Sequence, residues 1–154
     1  MHISNQSAGI LLYRNIRSQL EVFLVHPGGP FFKNKDEGAW SIPKGEFLPD
    51  EDPLLAANRE FFEETGLQLI GDEYIELTPI KQKSGKTVHA WAIAGDIDPA
   101  TLVSNLFEIE WPPRSGKKAS FAEIDRGDWF TVEVAKTKIN PAQVALITEL
   151  QSLL

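Results

Sequence analysis

GEFLPDEDPLLAANREFFEETGL, running from Gly45 to Leu67, is the stretch on which the reading turns. Asp52 suits a helix N-cap, and Pro53 suits the first helical position, where its missing N–H costs nothing. Gly66 can adopt the left-handed conformation that ends a helix. These signals predict a helix from about Pro53 to Thr65. At about 100° per residue, counted from Leu54, Leu55 falls near 100°, Phe61 near 340° and Phe62 near 80°. On the same count Glu60, Glu63 and Glu64 fall near about 240°, 180° and 280°. An apolar stripe is therefore expected, with three carboxylates on the opposite face. Ala56 and Ala57 lie one turn earlier and are expected to leave room beside those carboxylates.

Clustered like charges destabilise a helix unless something compensates them. A hard divalent cation is one compensation, because Mg²⁺ joins carboxylates to waters and substrate phosphates. A solvated acidic face is the plain alternative, since charge runs are most often surface. Arg59, four residues before Glu63, can brace it.

Outward from this helix, the polarity alternates between short strands and turns. Ala8–Tyr13 and Glu21–His26 read as two buried strands around the polar turn Asn15–Gln19. Pro27-Gly28-Gly29-Pro30 breaks regular structure, and Lys33–Gly38 continues the loop. Trp40–Pro43 reads as short and extended. Tyr74–Lys81 and Thr87–Ala94 make a hairpin pattern around Lys83-Ser84-Gly85-Lys86. Gly95–Gly127 reads as mostly irregular, with Trp111-Pro112-Pro113 in its middle, and so long a loop is more often functional than idle. Asn140-Pro141 repeats the capping chemistry before a last amphipathic helix. Strands and packed helices together give an α/β or α+β sandwich. The 154 residues fit one domain, 1–154.

The formal net charge is −7. That argues against nucleic acid as a partner, since phosphate neutralisation needs a surplus of Lys and Arg. The chain has no cysteine, which excludes disulfides and thiolate metal sites. The N-terminal apolar run is too short for a signal peptide or a membrane span, so a cytoplasmic protein with no membrane partner is expected. The sequence leaves monomer and homodimer open.

Gly45, five residues, Glu51, seven residues, then Arg59-Glu60-Phe61-Phe62-Glu63-Glu64-Thr65-Gly66-Leu67 resembles the Nudix box, with its fixed positions filled. The resemblance implies an α/β/α sandwich with a mixed sheet and a loop–helix–loop active-site motif. It implies a pyrophosphohydrolase that attacks, with water, a phosphorus of a nucleoside diphosphate linked to another group. The implied cofactor is Mg²⁺, with Mn²⁺ as a substitute, and the implied partner is a small phosphorylated molecule. Glu60, Glu63, Glu64 and the Gly45 carbonyl would face the metal. Glu51, Arg59 and Gly66 would hold the motif, with Arg59 orienting the catalytic carboxylates. The general base would be Glu60 or a carboxylate outside the box. Glu123 is the first choice for that residue because it precedes Asp128-Trp129-Phe130, and Glu108 and Glu110 are its rivals.

The lead Trp40-Ser41-Ile42-Pro43-Lys44 resembles the dinucleoside polyphosphate and diphosphoinositol polyphosphate branches. There Lys44 would meet phosphate, and Trp40 would stack on a base or pack in the core. Arg114, with Lys117 and Lys118, is a candidate basic arm over the substrate, as are Lys33 and Lys35; solvated surface is the alternative for each. His26 and His89 read as strand residues. Three rivals remain on the same scaffold. An isomerase of the isopentenyl diphosphate kind would need a cysteine. A non-catalytic ligand sensor usually loses box carboxylates, and an RNA 5′-end pyrophosphohydrolase is disfavoured by charge.

Overall fold

The computed structural model describes residues 5–154. Strand β1 (Gln6–Ile16) turns into β2 (Gln19–Pro27) through Arg17 and Ser18 alone, both at positive φ. Two left-handed residues close a hairpin whose twist matches its strands. The turn is thus tighter, and the strands longer, than the polarity of Asn15–Gln19 suggested.

Tyr13 to Ile16 pair with Gln19 to Val22, and then the two strands part. Into the gap runs the segment from Trp40 to Glu46. Ser41 bridges Val25, and β3 (Lys44–Glu46) pairs with Ser7–Gly9 of β1. This wedge carries Lys44 and Gly45 to the middle of the sheet. On its other side β1 runs parallel to β6 (Thr87–Ala94), whereas the remaining pairings are antiparallel. The result is a mixed sheet in the order β4-β6-β1-β2-β9, with β4 spanning Ile75–Glu76 and β9 spanning Ile124–Thr131.

The expected strand over Tyr74–Lys81 is broken into β4 (Ile75–Glu76) and β5 (Ile80–Lys81). Pro79 has no N–H to offer a ladder, and the Thr78 N–H and hydroxyl both donate to Glu149 instead. Gly95–Gly127 is not irregular. It holds a 3₁₀ turn (Pro99–Thr101), the hairpin β7 (Leu106–Glu110) with β8 (Lys118–Ala122), and the start of β9. Glu110 closes that hairpin by accepting the backbone N–H groups of Arg114 and Gly116.

Alternating side chains divide the core in two. Ala8, Ile10, Leu12, Phe23 and Val25 pack against helix α1 (Pro53–Thr65) through Ala56, Ala57 and Phe61. Leu11, Val22, Leu24, Val88 and Ala90 pack on the opposite face against α2 (Val132–Lys138) and α3 (Val144–Leu153). The sheet is thus sandwiched between helices, as expected. Helix α2 was not foreseen, and Asn140 caps a 3₁₀ turn (Pro141–Gln143) that leads into α3. Among the described residues no helix is long and apolar enough to cross a membrane.

Candidate active site

Helix α1 begins and ends as its sequence dictates. The Asp52 carboxylate accepts the Leu55 N–H, Pro53 follows, and Gly66 at φ 75° donates back to the Phe62 carbonyl. Its orientation differs from expectation. The buried residues are Ala56, Ala57, Glu60, Phe61, Glu64 and Thr65, while Leu55 and Phe62 are exposed. The helix therefore turns two of its carboxylates into the protein instead of presenting an apolar stripe opposite them. Ala56 and Ala57 leave no room for a ligand, because they are fully buried against the sheet. Their small side chains bring α1 close to β1, and this closeness drives Glu60 onto β3.

A Cβ added to Gly45 would lie 2.1 Å from the Glu60 carboxylate. Only glycine allows that approach, so the carboxylate lies against the bare backbone of the strand. One step earlier, the Lys44 backbone N–H donates to Glu64 Oε1 at 3.2 Å. Desolvation, aided by the charge of Glu63, pushes the Glu60 carboxyl up to about 7 against the opposing Arg59. Burial pushes Glu64 up to about 8, and Glu60 beside it adds to the effect. Burial also pulls the Lys44 ammonium down, while Glu64 opposes that fall.

Arg59 spans three acids. It reaches Glu51 at 3.0 Å, Glu60 at 3.0 Å and Glu63 at 3.3 Å. Its guanidinium is fully occupied in bracing the motif, and Glu51 anchors it on the loop side. Arg59 thus holds three carboxylates around one guanidinium.

Glu123 lines a cleft of about 510 Å³ together with Lys44, Glu64, Phe32, Phe107 and Gln143. Its carboxyl is raised by burial and by the charge of Glu63, and its own charge is felt at both Glu60 and Glu64. Its rivals are engaged elsewhere. Glu108 faces Lys118 at 3.6 Å across the β7–β8 hairpin, and Glu110 caps the hairpin turn. Arg114 sits in that same turn at φ 62° and is absent from the cleft lining. Lys33 and Lys35 line a different depression.

Trp40 borders the cleft but is only 4% exposed. Its indole N–H donates to Asp36 at 2.8 Å, and its ring meets His26 and Phe130 edge to face. A ring so enclosed has no open face for a base, so the stacking role gives way to the packing one.

Sequence reading passed over several residues that build this place. A relay of backbone hydrogen bonds joins the helix to the base candidate. The Asn105 N–H donates to the Glu63 carbonyl at 2.9 Å, and the Glu123 N–H donates to the Asn105 carbonyl at 2.8 Å. The Gly28 N–H in turn donates to the Glu123 carbonyl at 2.8 Å. On the cleft floor Gln143 is 1% exposed, accepting the Ile42 N–H and donating to Ser41 and Gln82. No local pattern marks these residues, because each acts across a large separation in sequence.

Among the described residues no three Asp, Glu, His or Cys side chains converge as a ready-made cation cage. What the site offers is oxygen donors alone: two buried carboxylates in mutual repulsion, beside a glycine backbone. That donor set fits a hard cation held by one or two carboxylates, with the rest of its shell supplied by water and phosphate.

A glycine-led loop and a carboxylate-bearing helix thus meet at a cleft beside a mixed sheet held between helices, the α/β/α arrangement expected of the Nudix fold. The NUDIX domain family model matches residues 4–150, and the chain belongs to that family. A comparison with curated proteins finds no match. Among solved structures, a Caenorhabditis elegans Ap4A hydrolase binary complex aligns with TM-score 0.66 at 19% identity, covering 96% of each chain. The NUDIX domain of Shewanella oneidensis NrtR complexed with ADP ribose aligns at 0.66 and 15% identity, over 99% of this chain and 90% of that one. A Nudix hydrolase from Mycobacterium smegmatis, RenU, aligns at 0.56 and 19% identity, over 99% and 88%. At these identities the likeness concerns the fold.

Proposed function

We propose that the chain is a Mg²⁺-dependent pyrophosphohydrolase that cuts the diphosphate linkage of a nucleoside diphosphate joined to another group. The observation that carries this reading is the buried Glu60–Glu64 pair, Glu60 lying against Gly45 and Glu64 lining the cleft with Lys44 and Glu123. Two ionisable carboxylates held this far from water are unfavourable by themselves, and a cation with a bound diphosphate relieves them. Glu60, Glu64 and the Gly45 carbonyl would hold the ion, with Glu63 at the more open edge. Mn²⁺ is the expected substitute, since it also favours oxygen ligands.

The bound cation supplies charge neutralisation on the phosphoryl oxygens and makes an adjacent water more acidic. Glu123 would accept the proton of the attacking water, its raised affinity for a proton suiting a base that works near neutral pH. Lys44, which lines the cleft, would meet a phosphate oxygen as a point charge. Arg59 would keep Glu60 and Glu63 apart and oriented. The hydrophobic cleft wall with Phe32 and Phe107 would take the nucleoside end. Ap4A and ADP ribose, named with two of the structural neighbours, both belong to the proposed substrate class.

The test is a screen of nucleoside diphosphate derivatives with Mg²⁺, with products read by mass. Phosphorylated products that vanish with excess chelator are expected. Tight binding of one compound with no product from any would favour a ligand-sensing role instead.

A further inference from the structure

His26, at the end of β2, is fully buried, and the reaction as proposed gives it no part. Its Nε2–H donates to the Lys35 carbonyl at 2.6 Å, and its Nδ1 lies in hydrogen-bond contact with the Asp125 carboxylate at 2.9 Å. Its ring also meets Trp40 edge to face, with centroids 5.2 Å apart. One side chain thus ties β2 to the loop that carries Phe32 to the cleft and to the segment that carries Glu123.

The strand pairing explains how Asp125 reaches it. His26 pairs with Arg126, but Pro27 pairs with Ile124, so the ladder skips Asp125. A bulge of this kind bends its strand and redirects side chains, often beside a functional site. Immediately past the bulge, the Gly28 N–H holds the Glu123 carbonyl. A Cβ at Gly28 would stand 2.0 Å from the Ala122 carbonyl oxygen, so the two segments touch backbone to backbone. Glu123 is therefore held from Asn105 on one side and from the His26–Gly28 corner on the other.

We propose that His26, acting through Asp125, is a positioning residue that fixes the bulged segment and thereby the carboxylate of Glu123. The inference rests on Glu123 being the general base. His26 itself touches neither substrate nor metal. Misplacing a reacting group by about 1 Å costs up to roughly 10²-fold in rate, so loss of the tether should appear in kcat.

The experiment is a double-mutant cycle at saturating Mg²⁺, well below each variant's melting temperature, with kcat and KM measured separately. His26→Gln is expected to lower kcat about 10-fold, with KM changed less than about threefold, and to add nothing to Glu123→Gln, because residues acting as one unit are non-additive. Asp125 is partly exposed, so Asp125→Ala should fold even if His26→Gln does not, and it should reproduce the loss. Asp125→Asn, whose amide can still hydrogen-bond to Nδ1, should retain most of the rate. A full His26→Gln loss on top of a crippled Glu123→Gln would overturn the positioning role alone, as would wild-type kcat in Asp125→Ala. A silent Glu123→Gln would overturn the base assignment, and the positioning role would fall with it.

Discussion

Glu64→Gln should make the metal-free protein more stable while it disables the enzyme. Glu64 is 9% exposed, and its carboxyl is pushed up to about 8 by burial and by Glu60. A folded-state value above the unfolded one means that the fold binds the proton more tightly. This contribution to stability is complete below about pH 4.5 and is lost as pH rises toward about 8. At about 1.4 kcal/mol per pH unit, the full shift sets a ceiling of about 5 kcal/mol on the cost of ionising Glu64. Relaxation, and proton sharing with Glu60, leave an expected gain on the order of 2 kcal/mol for Gln at pH 8.5. For a chain of this size that is a rise in Tm of about 4–8 °C. The gain should shrink several-fold at pH 5, where wild-type Glu64 is already protonated in the fold. The amide oxygen of Gln can still accept the Lys44 N–H, so the helix keeps its contact with β3. Mg²⁺ at about 100 times its Kd should stabilise the wild type by about 2.7 kcal/mol and the variant much less. Turnover should fall by at least about 10²-fold. Thermal melts across pH, with and without Mg²⁺, measure all of this. A gain independent of pH, or equal Mg²⁺ stabilisation of both proteins, would refute the reasoning.

Arg59→Lys should cost about 10–100-fold in activity, because a lysine cannot span Glu51, Glu60 and Glu63 at once; steady-state kinetics against the wild type decide it. Glu108→Gln and Glu110→Gln should leave kcat within about twofold, since exposed positions away from the chemistry change little, and a collapse of either would move the base to the hairpin. Trp40→Phe should cost about 1–3 kcal/mol of stability through the lost bond to Asp36 and lost volume, with KM nearly unchanged; a selective rise in KM would restore the stacking role.

Helix α1 was legible to the residue because its limits are local. Asp52, Pro53 and Gly66 act on their own neighbours, and no distant contact overrides them. Which face it buries was not legible. Periodicity counts Leu55 and Phe62 as core, yet the close packing of Ala56 and Ala57 on β1 rolls the helix so that Glu60 and Glu64 turn inward. The hairpin from Leu106 to Ala122 was hidden for another reason. Its alternation of Phe107 and Ile109 with Glu108 and Glu110 is present, but it is short and broken at once by Pro112 and Pro113, which give no strand signal. Glu123 stands out in the sequence only by preceding Asp128-Trp129-Phe130, and the relay through Asn105 that brings it to the helix has no sequence signature. The split of β1 from β2, which admits β3, is likewise a long-range event.

The most direct test of the central claim is hydrolysis in ¹⁸O-labelled water, with each product weighed by mass spectrometry. Incubation with a nucleoside diphosphate derivative and Mg²⁺ should place one ¹⁸O in a single phosphorylated product per turnover. Chelator, or Glu64→Gln, should reduce that labelled product by at least about 10²-fold. Unlabelled products, or labelling that persists in excess chelator, would contradict a metal-assisted attack by water at the Glu60–Glu64 site.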